Sequence, residues 1–360
     1  MFPLYEESHV QLGQDLRTRA AALDWSSDDP LQAVARLREL SVFPLLAPSP
    51  SVRALCVVRE ALAYRSPMAD AIFAVQGLAA QPLAMAGATR WPALLDEVIT
   101  GRTIGGFALT EPEAGSDIAS MRSTALRDGD GWRLDGEKTF ISNVGIAGFF
   151  IVFANADPTL GKKGISAFLL QGDSPGLTQA PIVTLDDHPL GRLVMKGAHA
   201  QLVGEVGQGL RLALGTLDVL RTSVGAAAVG MGQRALDAAL AHVKKRVQFG
   251  KPLAEFQLVQ GALADMATDL DAARLLVARA AWAKDAGCAG KTEVAMAKMF
   301  ATEAAQRVID RAVQLYGGLG VVRGEIPERL YRSVRALRIY EGTTEIQKLI
   351  IGAALVAGST

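Results

Sequence analysis

Cysteine is almost absent from this 360-residue sequence: Cys56 and Cys288 stand 232 positions apart and outside any Cys-x-x-Cys spacing. Two thiols so placed exclude a disulfide-built scaffold and a thiolate zinc site, and they fit a reducing compartment, so a cytoplasmic protein is expected. Net charge is absent too. Lys plus Arg and Asp plus Glu number 37 each and the pI is near 6.9, which leaves no field to gather nucleic acid or an anionic membrane. Small molecules and proteins are the expected partners. The four histidines, His9, His188, His199 and His242, are scattered without ligand spacing, and no metal site is expected. The opening MFPLYEESHVQLGQ is acidic and has neither the basic start nor the long apolar run of an export signal. Residues 209–240 form the most hydrophobic long stretch, yet Arg211, Asp218, Arg221 and Arg234 interrupt it, so a buried helix is expected rather than a membrane span.

What is abundant is apolar material. Half of the residues are hydrophobic and the mean hydropathy is +0.22, enough for a large core with apolar surface left over for subunit contacts. A homo-oligomer is expected. Three textures follow one another. Residues 1–102 carry helical spacing, as in LQAVARLRELSV and SVRALCVVREALAYR. Residues 103–206 change to short β-rich runs between Gly, Asp and Pro turns, which predicts a small antiparallel sheet or barrel. Residues 207–360 return to long Ala/Leu-rich segments broken at GKP, DAGCAGKT and YGGLG, predicting four or five packed helices.

Several motifs invite a chemical reading. GGLGVVRG (317–324) has the wrong glycine spacing and follows a helical segment, which argues against a Rossmann loop. DGDGWRLDGEK begins like a calcium loop but offers Thr139 at the twelfth position, so it reads as a hairpin turn. FALTEPEAGSD (107–117) is more informative. A β-like run meets Pro and a small-residue turn whose backbone N–H groups can face an electron-rich ligand, with the hydroxyls of Thr110 and Ser116 alongside. EKTFISN (137–143) repeats an aromatic followed by a hydroxyl, Phe140 and Ser142. On composition alone both remain readable as ordinary strand ends. RIYEGTTEIQ (338–347) sets one carboxylate, Glu341, before a Gly-Thr-Thr helix start.

Taken together these segments resemble the acyl-CoA dehydrogenase family of flavoenzymes. ALTEPEAGSD is similar to its first signature, EKTFISN to its flavin-flanking strand, RVQFGKPLAEFQLVQ (246–260) to its dinucleotide clamp, QLYGGLG (314–320) to its second signature and IYEGTTEIQ to its catalytic segment. The resemblance implies an α+β, mainly α fold: an N-terminal helical domain, a middle antiparallel β-barrel-like domain and a C-terminal four-helix bundle. It implies bound FAD, with Phe107, Leu109, Thr110, Gly115 and Ser116 lining the flavin, Phe140 against its ring and Ser142 close to N5. Arg246, Gln248, Phe249, Gln257, Gln314, Gly317 and Gly318 match residues that hold the adenine and pyrophosphate end from a neighbouring subunit, in a tetramer built as a dimer of dimers. Thr343 and Glu345 return to the cofactor. An acyl-CoA is the implied substrate, touched by Ser116, Arg221 and Gly342, and an electron-transfer flavoprotein is the implied acceptor.

Within that resemblance Glu341 is the implied base. Dehydrogenating a thioester requires loss of an α proton as the β hydrogen leaves as hydride, and a carboxylate among apolar groups such as Ile339 and Tyr340 has its pKa raised toward the task. Some relatives carry the base on the bundle helix immediately before an arginine; here Leu220 fills that slot before Arg221. The chain also departs from the family's pattern. Gly324 and Ser333 stand where acids are usual, Phe140 stands for the commoner Trp, and residues 186–205 lack the substrate-side Ser-Asp-Thr pattern. Arg65, in AYRSPMAD, resembles an arginine that meets a distal carboxylate in glutaryl-CoA dehydrogenases. The alternatives to an acyl-CoA dehydrogenase are the same fold with oxidase, monooxygenase or decarboxylating chemistry, or a non-catalytic flavoprotein.

Overall fold

The structure is a computed structural model that describes residues 4–288 and 290–358. Its helices are α1 (Glu7–Ala21), α2 (Pro30–Glu39), α3 (Val52–Arg65), α4 (Pro67–Met85), α5 (Pro92–Ile99), α6 (Gly209–Lys245), α7 (Gln257–Asp285), α8 (Lys291–Tyr316), α9 (Ile326–Leu337) and α10 (Thr344–Val356). The chain folds into two compact units, one of residues 1–25, 51–70 and 221–360, the other of residues 26–50 and 71–220. The helical stretch 1–102 therefore contributes to both.

The second unit is built on seven strands: β1 (Gly105–Ala108), β2 (Thr124–Asp128), β3 (Gly131–Ser142), β4 (Phe149–Asn155), β5 (Ile165–Gln171), β6 (Leu177–Pro181) and β7 (Leu190–Val203). They pair in the order β1-β4-β2-β3-β7-β5 with β5 returning to β4 and β6 lying on β7, so the sheet closes on itself. The DGDG stretch is the expected hairpin turn between β2 and β3. Two pairings depart from an all-antiparallel sheet. β1 and the first residue of β2 both run parallel to β4, which the long connections from β1 and β2 to β4 permit where a tight hairpin would not.

β4 explains its own sequence. FFIVFAN is a continuous apolar run because the strand is covered on both faces: Phe149, Ile151 and Phe153 join a cluster with Leu83, Leu95 and Leu212 from the helices, while Phe150, Val152 and Ala154 join Trp132, Leu134 and Phe168 inside the closed sheet. Gln76, fully buried on α4, donates to the carbonyls of Val98 and Thr103 and accepts from Gly105 N, tying α4 to the start of β1.

In the first unit α8 packs against α7, α9 and α10. Its inner stripe is mostly small, Ala297, Ala301, Ala304 and Ala305, which lets helix backbones approach closely; Val308 and Ile309 extend the apolar face. The core gathers Val224, Met231, Leu270, Leu330 and Leu337 around it. α3 is anchored at its start by Asp285, which accepts from Val52 N and Arg53 N and pairs with the Arg53 guanidinium. A carboxylate belongs there, facing the positive end of a helix. A fully buried, two-pronged pair joins Arg59 to Asp70, both bonds 2.8 Å, and Arg59 also donates to Ser223 Oγ at 3.0 Å. α6 contains a window long and apolar enough to cross a membrane on length and composition, despite its charged residues, but two thirds of that window is buried in the protein, as in a core helix.

Candidate active site

In the sheet unit, two of the sequence motifs are fastened to each other by one buried ion pair. Lys138, fully buried, donates to Glu111 Oε1 at 2.7 Å and to Leu109 O at 3.2 Å, and Thr139 N donates to Thr110 O at 3.0 Å. Glu111 also accepts from the backbone N–H groups of Arg122 and Ser123. Burial alone raises a carboxyl pKa, but the Lys138 ammonium and these donors hold Glu111 below its usual range. Burial draws Lys138 down to about 8 against the pull of Glu111, so both stay charged at neutral pH. The chain from Glu111 to Ala114 closes as a tight reciprocal turn and presents Gly115 and Ser116 at the surface, with open space where a Gly115 Cβ would lie.

The end of β3, joined to this turn through Thr139, carries the next candidates. The β3–β7 register slips between Lys138 and Ile141, and Phe140 sits in the slip with φ of 55° and 61% of its surface exposed. A bulge re-aims a side chain, and a bulky residue held left-handed costs on the order of 1 kcal/mol or more, which such sites retain where function requires the geometry. Ser142 ends β3, and its Oγ lies 2.7 Å from His188 Nε2. Thr110 is half-buried beside them in sequence register, and Phe107 packs its ring on Phe153 at 5.0 Å. Leu109 differs: its side chain is buried in the apolar cluster, which leaves only its backbone to meet a ligand.

In the helical unit the catalytic candidate sits in a tight turn before α10. Glu341 has φ of 53° and Gly342 φ of 93°. Three donors fix this turn through its carbonyls. Arg221 Nε reaches Glu341 O at 2.8 Å, Lys298 Nζ reaches Gly342 O at 2.7 Å and Gln347 Nε2 reaches Gly342 O at 3.1 Å. The φ of 93° at Gly342 favours glycine, and a Cβ there would also press on Gln347 Nε2 at 2.5 Å. The carboxyl itself is left unengaged: Oε2 is out of solvent and has no hydrogen-bond partner among the described residues. Burial pushes its pKa up, and the nearby cations Arg59, Arg221 and Lys298 only partly offset that. Lys298 is fully buried and drawn down to about 8, chiefly by burial. Thr343 caps α10 by accepting from Ile346 N, and Glu345 is exposed in the first turn.

A third group lies at the far end of the same unit. The ring of His242 stacks on Tyr316 at 4.3 Å, setting the end of α6 beside the end of α8. From there Arg246 leads into a two-strand hairpin, β8 (Val247–Gln248) and β9 (Lys251–Pro252), whose two-residue turn Phe249-Gly250 has positive φ at both positions. Phe249 is 93% exposed at its tip. Arg246, Gln248, Gln257, Gln314, Gly317 and Gly318 are all exposed, and nothing lies where Cβ atoms on the two glycines would stand. Arg65 ends α3 with its guanidinium over the Tyr64 ring at 5.2 Å.

Sequence reading missed Lys138 with Glu111, Lys298, the Arg59–Asp70 pair and His188. A signal existed for Lys298, the one cation in the Ala-rich inner stripe of α8.

Comparison with known proteins follows the same segments. A family profile described as the acyl-CoA dehydrogenase middle domain fits residues 106–198, and one described as the acyl-CoA dehydrogenase C-terminal domain fits residues 207–356. The chain is 33% identical to a 3-(aryl)acrylate reductase of Clostridium sporogenes over 95% of both chains. It is 40% identical to an acyl-CoA dehydrogenase of Bacillus subtilis over 74% of this chain and 72% of that one. Among solved structures, butyryl-CoA dehydrogenase from Megasphaera elsdenii superposes with a TM-score of 0.89 at 30% identity, covering 99% of both chains.

Proposed function

The chain belongs to the acyl-CoA dehydrogenase family of FAD-dependent oxidoreductases, and on that footing we propose that it interconverts an acyl-CoA thioester and its trans-2-enoyl counterpart with Glu341 as the base. One observation carries the assignment: a carboxyl with an unpartnered, solvent-free oxygen, held in a left-handed turn whose carbonyls are clamped by Arg221 and Lys298. A structural glutamate would be paired or exposed. Glu341 removes the α proton, its raised pKa matching an acidified carbon better than a surface carboxylate would. Gly342 supplies the positive φ that lets the chain turn next to the carboxyl, and Arg221 keeps the turn in register.

FAD fits the residues present. Phe140 offers an exposed aromatic face on a bulge, Thr110, Ser116 and Ser142 offer hydroxyls, and the open glycine backbone at 115 lets a planar ring approach. When bound, the flavin supplies the acceptor for the β hydride. The exposed set Arg246, Gln248, Phe249, Gln257, Gln314, Gly317 and Gly318 suits the pyrophosphate and adenine end of a cofactor held by a neighbouring subunit, and Phe249 and Leu258, both more than nine-tenths exposed, suit burial in a homotetramer. An electron-transfer flavoprotein is the proposed acceptor and the cytoplasm the proposed location.

A second direction is favoured by the relative that matches 95% of this chain, a reductase by name. The same residues serve it, because a carboxyl with a raised pKa can return the α proton to an enoyl thioester. Anaerobic mixing separates the readings. Bleaching of the flavin by saturated acyl-CoAs supports dehydrogenation, reoxidation of the reduced enzyme by enoyl-CoAs supports reduction, rapid peroxide release in air marks an oxidase, and silence toward every straight, branched, aryl and dicarboxylic thioester removes the proposal.

A further inference from the structure

The loop before β7 departs from the family's pattern, and it puts a histidine where the flavin-facing strand ends. His188 Nε2 lies 2.7 Å from Ser142 Oγ. The backbone holds the two together: Asn143 N donates to Pro189 O at 2.8 Å, and Ser142 pairs with Leu190 across β3 and β7. Pro189 confines the residue before it to extended backbone, which limits where the His188 ring can go. The other ring nitrogen, Nδ1, is out of solvent and has no partner among the described residues.

That imbalance selects one tautomer. A neutral imidazole has one N–H, and an orphaned buried N–H is rarer than an unfilled acceptor. With the hydrogen on Nε2, His188 donates to Ser142 Oγ and leaves only the bare lone pair of Nδ1 unpaired. Burial lowers the His188 pKa to about 4, so the ring is neutral at physiological pH. Ser142 Oγ then accepts from His188, and its own hydroxyl hydrogen is free to donate elsewhere.

The geometry points to His188 as a positioning residue that orients the Ser142 hydroxyl as a hydrogen-bond donor to the bound flavin. This rests on the reading of Ser142 as flavin-facing. An oriented donor to an electron-accepting ring favours its reduced, more electron-rich state; a freely rotating hydroxyl does so less.

The test is equilibrium redox titration and visible absorption of the purified FAD-loaded protein. Ser142→Ala and His188→Phe should each lower the equilibrium constant for two-electron reduction about tenfold, about 30 mV, and shift the flavin band alike. The double variant should lose no more than either single one. His188→Gln, whose amide N–H₂ can stand near Nε2, should stay within about threefold of wild type. If His188→Phe fails to fold, His188→Asn, too short to reach Ser142, should show the same loss. A potential and spectrum unchanged in His188→Phe or His188→Asn, with Ser142→Ala shifted, overturns the inference and leaves the Ser142 reading standing. No change in Ser142→Ala overturns both.

Discussion

Lys298 Nζ donates to the carbonyl oxygen of Gly342 at 2.7 Å, one residue beyond Glu341. A buried ammonium beside a partly buried carboxyl, whose Oε2 is out of solvent, does two things. It anchors the backbone of the turn, and its charge lowers the pKa of Glu341 against the larger upward push of burial. The net direction is upward, so Glu341 ionises above the usual glutamate value of about 4.3.

Activity follows from that sign. On the proposal that Glu341 is the base, it must be ionised to act, so the acid limb of kcat/KM should lie above the ordinary carboxylate range. Lys298→Met removes a cation that favours the ionised form, and the limb should move to still higher pH. Gln347 still donates to Gly342 O, so the carbonyl is not orphaned. The pH profile of flavin reduction checks this; an unmoved limb would mean that Lys298 is structural only.

Stability moves the opposite way. A carboxyl whose folded pKa is raised contributes stability below its unfolded pKa and loses that contribution as pH rises through the folded value. Glu341→Gln has no charge to bury, so it should melt above wild type at neutral pH, with the gap closing toward pH 4. Calorimetry across that range reads it, and a gap that grows on acidification would contradict the sign.

The Lys138–Glu111 pair should be strongly coupled. Removing one partner leaves a buried charge uncompensated, so Lys138→Met should lose about 3–5 kcal/mol in urea unfolding. Adding Glu111→Gln to it should recover part of the loss. FAD retention should fall with Lys138→Met, since the pair ties residues 109–111 to 138–139.

Much of this was legible in the sequence. Helical spacing, the unbroken apolar run FFIVFAN and the DGDG turn are local patterns, and each maps onto an element. Glu341 stood out through the resemblance of IYEGTTEIQ to the family's catalytic segment, and its positive-φ turn and solvent-free Oε2 come from the structure. The parallel pairing of β1 on β4 was not, because pairing partners 44 residues apart leave no periodic trace. Lys138 and Lys298 were hidden for a similar reason: a lysine reads as solvated until a partner distant in sequence, Glu111 or Gly342, is seen to receive it.

Arg246→Ala tests the shared-cofactor proposal. A guanidinium makes paired contacts to pyrophosphate that alanine cannot replace, so the variant should purify pale, regain FAD only at raised concentration and dissociate more readily on dilution, with far-UV helicity unchanged. Light scattering that shows a wild-type monomer fully loaded with FAD would contradict it.

The most direct measurement is the anaerobic reduction of enzyme-bound flavin by a saturated acyl-CoA that the wild type accepts, followed by stopped flow in wild type and Glu341→Gln. Glutamine keeps the size and polarity of the side chain and removes its basicity. With Glu341 as the base, the variant should be yellow, folded and able to bind the thioester, with reduction slowed about 10²- to 10⁴-fold or more. Reduction within tenfold of wild type would place the base elsewhere.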